Sequence, residues 1–167
     1  MLSSDRVVHE LYDDPEVRDA VIERFGKPVA SDRKIDRSAL ARVAFATTED
    51  RDWLEGLLWP RVGERIARWR EQLEQAALRP RAGVVEVPLL FESGMENVFD
   101  ATIAIVADED VRAERAGARG HEALAERGAR QLGQAEKADR ATHVVANDGT
   151  VEELEQKLSA VLEMLER

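Results

Sequence analysis

Three short runs in the second half of the chain constrain its fold more than any other feature. They are Gly83-Val-Val-Glu-Val-Pro88, Ala101-Thr-Ile-Ala-Ile-Val106 and Thr142-His-Val-Val145. The first two are apolar at nearly every position instead of alternating. That is the pattern of strands covered on both faces, and a sheet covered on both faces is characteristically parallel. Helical stretches lie between and after them, roughly at 109–118, at 122–138 and from 151 onward. The last opens with Thr150-x-x-Glu153, a capping-box pattern, behind the turn Asn147-Asp148-Gly149. Its stripe Val151, Leu154, Leu158, Val161, Leu162 and Leu165 is expected to lie on the sheet.

The first half follows a different period. Asp14 and Pro15 form an N-cap and first-turn pair, and Val17, Val21, Ile22 and Phe25 recur at helical spacing until Gly26 ends the run. The segment Lys27–Asp36 has charges and a proline but no period, and reads as a loop. Asp36 can cap a short helix carrying Leu40, Val43 and Ala44. Thr48 can cap another with Trp53, Leu54, Leu57 and Leu58, ending near Trp59-Pro60. A longer helix is expected beyond it, with Val62, Ile66, Trp69, Leu73 and Ala76 on one face, closed by Arg79-Pro80. Helices followed by β-α-β-α make an α/β core with a helical insertion. Only Met1-Leu2 is available as the tail of a strand before the first helix.

Composition removes several functions. There is no cysteine, which excludes disulfides, thiolate catalysis, zinc fingers and iron–sulfur ligation, and fits a cytoplasmic setting. Acidic residues outnumber basic ones 34 to 24, the reverse of what a nucleic-acid binder carries. The N-terminus lacks the apolar core of a signal peptide. The most apolar stretches, Gly83–Phe91 and Ala101–Ala107, are too short to span a bilayer. No G-x-x-x-x-G-K-[ST] phosphate loop occurs in the 167 residues, and Ser93 is not in a G-x-S-x-G elbow. His9, His121 and His143 are too scattered for a local metal motif, and no metal ligand is assigned.

Four places could carry chemistry. Asp5 follows the strand stub, where an acid could orient or deprotonate a hydroxyl; it could equally be a helix N-cap. In Val84–Glu92 an apolar strand ends in a proline turn. Glu86 or Glu92 could face a cation or ligand there, or the segment could be a buried strand with Phe91 as core. Arg112, Arg115 and Arg119 share one helical face, and Arg127, Arg130 and Lys137 share another. Residues 111–140 hold seven basic and five acidic side chains, a positive island suited to phosphate, or a solvated face with internal pairs.

Taken in order, these pieces resemble the dephospho-coenzyme A kinase family. Ser3-Ser4-Asp5 falls at the family's D-A-D-like step and keeps its last acid. Asp36-Arg37-x-x-Leu40 and Leu57-Leu58-Trp59-Pro60 fall at the helical pair that ends in His-Pro. Val87-Pro-Leu-Leu-Phe-Glu-Ser93 is close to the V-P-L-L-F-E signature. Arg115 and Arg119, then Gln131, Lys137, Ala141 and Asn147-Asp148-Gly149, follow in the family's order. The resemblance implies a parallel-sheet core of P-loop-kinase type formed by 81–110 and 139–167. It also implies a helical substrate-binding insertion at about 12–80 and a short helical lid at 111–138. It implies ATP-dependent phosphorylation of the ribose 3′-hydroxyl of dephospho-CoA, with ATP and Mg²⁺. Asp5 would be the base, Arg37, Pro88, Leu89, Leu90 and Glu92 the substrate site, and Arg115, Arg119 and Asn147 the ATP site. The family's first strand, phosphate loop and first helix would precede Met1, so the resemblance implies a start set at an internal position. The alternatives are a non-catalytic nucleotide- or CoA-binding or regulatory module keeping the fold, and a related kinase of another small hydroxylated substrate.

Overall fold

The two faces of the chain's sequence, helical first and strand-rich second, correspond to two compact units, Met1–Pro88 and Leu89–Arg167. The structure, a computed structural model, describes residues 1–32, 34–118 and 131–166.

In the first unit, strand β1 (Leu2–Ser3) runs straight into helix α1 (Ser4–Leu11). Helix α2 (Pro15–Phe25) is capped by the Asp14 carboxylate, which accepts from the Glu16 N–H. It stops at Gly26, whose φ of 83° is costly for a residue with a Cβ. The segment expected to be a loop instead holds a 3₁₀ turn (Lys27–Val29) and a hairpin of β2 (Ala30–Ser31) with β3 (Lys34–Ile35). Two-residue strands leave too little alternation to be seen in sequence. Asp32 turns the chain with a φ of 49°, a conformation that aspartate tolerates.

Asp36 caps α3 (Arg37–Ala44), accepting from the N–H groups of Ser38 and Ala39. Leu40 and Ala44 are buried as expected, whereas Val43 faces out. The two helices expected on either side of Pro60 are one, α4 (Thr48–Glu74), and its cap is Thr47, not Thr48. Proline lacks the N–H that would bond the Gly56 carbonyl and crowds that carbonyl. Gly56 is exposed, with open space where a Cβ would stand. The buried stripe Leu54, Leu58, Val62 and Ile66 runs unbroken through the site and holds both halves in one helix. Helices α1, α2 and α3 pack with α4 around Val7, Leu11, Val17, Val21 and Leu40. At the surface, Arg24 bonds Glu49 and Asp50, and Phe25 meets Trp53 edge to face. Strand β4 (Val85–Glu86) pairs parallel with β1, Leu2 opposite Val85; it covers only part of the apolar run.

In the second unit, β5 (Ile103–Val106) and β6 (His143–Ala146) pair parallel, with Ile103 opposite His143 and Val106 opposite Ala146. Expected coverage of both faces is only half met: Ala104 and Val145 are buried, while Ile105 and Val144 are about half exposed at 47% and 50%. The remaining helices are α5 (Glu109–Ala118), α6 (Gln134–Arg140) and α7 (Val151–Leu165). The helix expected over 122–138 is not continuous in its described part, since 131–133 are not helical. The capping box at Thr150 and Glu153 is present. The Glu153 carboxylate of this box lies where a Cβ at position 149 would stand, so a larger residue there would displace it. Of the α7 stripe, Val161 is buried and Leu154, Leu158 and Leu162 half-buried; Val151 and Leu165 are exposed because they lie at the helix ends. Among the described residues no helix is long and apolar enough to cross a membrane.

Candidate active site

Asp5 lies in the first turn of α1, two residues beyond the end of β1, and is exposed. The N-cap position belongs to Ser3, so Asp5 is not spent as the cap. His9 and Tyr12 follow at i+4 and i+7, on the same side of the helix. Arg37, the first residue of α3, reaches across and bonds the His9 ring. Burial pushes the Tyr12 hydroxyl above its ordinary pKa, and the nearby charge of Arg37 offsets part of that rise. The capping bonds of Asp36 fix where the Arg37 stem begins. This unit therefore brings Arg37 beside the helix that carries Asp5. His9 was not among the sequence candidates, and only its i+4 spacing from Asp5 could have suggested it.

Pro88 closes the first unit, and Leu89, Leu90 and Glu92 open the second. Leu89 and Leu90 form a turn in which the Ser93 N–H donates to the Leu89 carbonyl (3.0 Å) and the Ser93 hydroxyl to the Leu90 carbonyl (3.0 Å). Ser93 is thus a turn residue. Glu92 accepts from the Lys137 ammonium at 3.0 Å and from the Leu132 N–H at 2.9 Å. Burial alone would raise its carboxyl pKa, but the Lys137 bond and the backbone N–H groups outweigh this and hold it below its ordinary value. A carboxylate so occupied is a fastener for α6, and Arg140 of the same helix bonds Glu96 while lying over the Phe91 ring. Glu86 is exposed on β4.

The carboxyl ends of β5 and β6 are closely tied. The Arg115 Nη1 donates to the Asn147 carbonyl at 2.6 Å and Nη2 to the Gly149 carbonyl at 3.0 Å. Lys157 donates to the Ala146 carbonyl at 2.7 Å, and the Asp108 N–H to the Asp148 carboxylate at 2.6 Å. A guanidinium has five N–H donors, and these two bonds use two of them among the described residues. Arg115 and Asn147 are thus brought together. Arg112 is not with them, since it pairs with Glu109 on its own helix. Arg119, Arg127, Arg130 and His121 lie outside the described residues, as does part of the expected lid.

Sequence reading missed two further features of this end. Thr102 and Thr142 prolong the ladder through their hydroxyls: each backbone N–H donates to the other's Oγ1, at 2.7 and 3.0 Å. Gln134 grips Ala107 through both atoms of its amide. Neither partner is within hailing distance in sequence, so no local pattern announces them.

The family model for dephospho-CoA kinase matches residues 1–153. This chain belongs to the dephospho-CoA kinase family. It is 34% identical over 168 residues to a dephospho-CoA kinase of Protochlamydia amoebophila, covering 98% of this chain and 83% of that one. It is 38% identical over 171 residues to one from Deinococcus radiodurans, covering 99% and 80%. Its structure resembles the crystal structure of TT1252 from Thermus thermophilus with a TM-score of 0.79 at 31% identity, covering 98% of this chain and 83% of that one. The α/β architecture with parallel pairing is thus that of a P-loop-type kinase, and the chain is a phosphotransferase of coenzyme A biosynthesis with ATP as substrate.

Proposed function

We propose that this dephospho-CoA kinase uses Asp5 to hold the ribose 3′-hydroxyl of dephospho-CoA and to take its proton as the γ-phosphoryl group of ATP is transferred. The hydroxyl oxygen forms the new bond to phosphorus, the bond to the ADP oxygen breaks, and the proton passes to the Asp5 carboxylate. Phosphoryl transfer needs positioning and charge compensation more than a covalent nucleophile, and the absence of cysteine is no obstacle to it. The observation that carries the reading is the placement of Asp5: an exposed carboxylate at a strand end, unused as a cap. Residues 12–80 serve as the acceptor-binding arm, with Arg37 as an anion contact, and the family pattern assigns Pro88, Leu89 and Leu90 to dephospho-CoA as well. Glu92 acts there through its hold on Lys137 and Leu132. Arg115 uses its remaining donors, with Arg119, on the phosphates of ATP, and Asn147 serves the adenine end.

Among the described residues no three His, Asp or Glu side chains converge, so no all-protein cation cage fits Mg²⁺. Mg²⁺ commonly binds through substrate phosphates with few protein ligands, and bound with ATP it would offset the charge of those phosphates. The setting is the cytoplasm.

The test is ADP formation that depends on dephospho-CoA, measured on the native protein and on Asp5→Asn. Turnover in Asp5→Asn is expected to fall by about 10²-fold or more, with an unchanged melting curve. Near-normal turnover would remove Asp5 from the role. Nucleotide binding without any dephospho-CoA-dependent ADP would point instead to a binding module.

A further inference from the structure

We propose that Gln134 is a positioning residue for the nucleotide end of this kinase, acting as a substitute strand rung on Ala107. The β5–β6 ladder ends with Val106 opposite Ala146, and the Asn147 N–H closes it on the Val106 carbonyl at 2.7 Å. Ala107 is the next residue and lies beyond the last rung. The Gln134 side chain supplies what a neighbouring strand would: its Oε1 accepts from the Ala107 N–H at 2.9 Å, and its Nε2 donates to the Ala107 carbonyl at 2.9 Å. A neutral amide presents a donor and an acceptor side by side in this way, which an ionised carboxylate cannot do.

The consequence travels along bonded groups. Ala107 fixes Asp108, whose N–H donates to the Asp148 carboxylate and whose own carboxylate and carbonyl accept from Asp110 and Arg112 to start α5. Helix α5 carries Arg115, which returns to the carbonyls of Asn147 and Gly149. Gln134 is itself well seated, because Leu132 and Lys137 on either side of it are both bound by Glu92. One amide therefore sets the starting point of the helix that aims Arg115. This inference rests on the reading of Arg115 and Asn147 as the nucleotide end.

The experiment compares native enzyme with Gln134→Met, which keeps the stem and loses both bonds, Gln134→Glu and Arg115→Ala. Gln134→Met is expected to raise the KM for ATP about tenfold, with kcat and the KM for dephospho-CoA within twofold of native and the Ala107 amide exchanging faster. A protonated glutamic acid has the donor-acceptor pattern of an amide, so the ATP KM of Gln134→Glu relative to native should fall toward unity as pH is lowered from about 8 to about 5. An Arg115→Ala enzyme with native ATP KM would overturn the nucleotide reading and this inference with it. Arg115→Ala impaired while Gln134→Met keeps its ATP KM, or loses affinity for both substrates alike, would overturn this inference alone. A Gln134→Glu ratio that does not change with pH would do the same.

Discussion

Replacing Arg115 separates a cation needed for its charge from one needed for its shape. In the structure the guanidinium spans two carbonyls, Asn147 at 2.6 Å and Gly149 at 3.0 Å, and so closes the turn after β6. A hydrogen bond to a charged donor contributes about 1.5–3 kcal/mol. Asn147 is half-buried, so its bond is taken at about 1.5 kcal/mol; Gly149 is exposed and water competes there, leaving about 0.5 kcal/mol. Together they make about 2 kcal/mol against local opening, or about 30-fold in the opening equilibrium. The assay is amide exchange at Asn147, whose N–H donates to Val106 just inside the turn. Arg115→Ala should exchange about 30-fold faster there. Arg115→Lys keeps the charge but reaches one carbonyl at a time, so it should recover only part of the protection and only part of the ATP affinity. Lysine matching arginine in both exchange and ATP affinity would refute the argument from shape. Less than a threefold change in Arg115→Ala would refute its magnitude.

Other consequences are simpler to measure. Leu40 is 2% exposed on α3, three residues after Arg37 in the same helix. Leu40→Ala should cost about 3 kcal/mol in denaturant unfolding, and a loss under about 1 kcal/mol would mean the first unit collapses around the gap. Glu92 has its folded pKa held below the unfolded value, so its contribution is complete above the unfolded value of about 4.3 and is lost as pH falls through the folded one. Native melting temperature should therefore drop more steeply than that of Glu92→Gln between about pH 5 and 3, and parallel curves would contradict the Lys137 and Leu132 contacts as its source.

What the sequence made legible is what depends on neighbours along the chain. Asp14, Asp36 and the Thr150–Glu153 box cap helices because a cap acts within three residues, and the side chains that do it are few. The β-branched runs likewise marked β5 and β6, and the Val87–Ser93 element in its ordered context identified the family. Most of what the sequence hid depends on a distant partner. Pro60 is a strong local stop, yet the stripe from Leu54 to Ile66 is buried by other helices, and packing energy spread over four side chains exceeds one lost hydrogen bond. Glu92 reads locally as an acid at a strand end, and its partners, 40 and 45 positions further on at Leu132 and Lys137, leave no mark in that neighbourhood. Gln134 and Ala107 are 27 apart and neither has an unusual neighbourhood in sequence. The candidate site follows the same division. Asp5 could be found because strand end and helix start are adjacent in the chain, whereas the machinery that aims Arg115 is assembled from four separate segments and exists only once the sheet has formed.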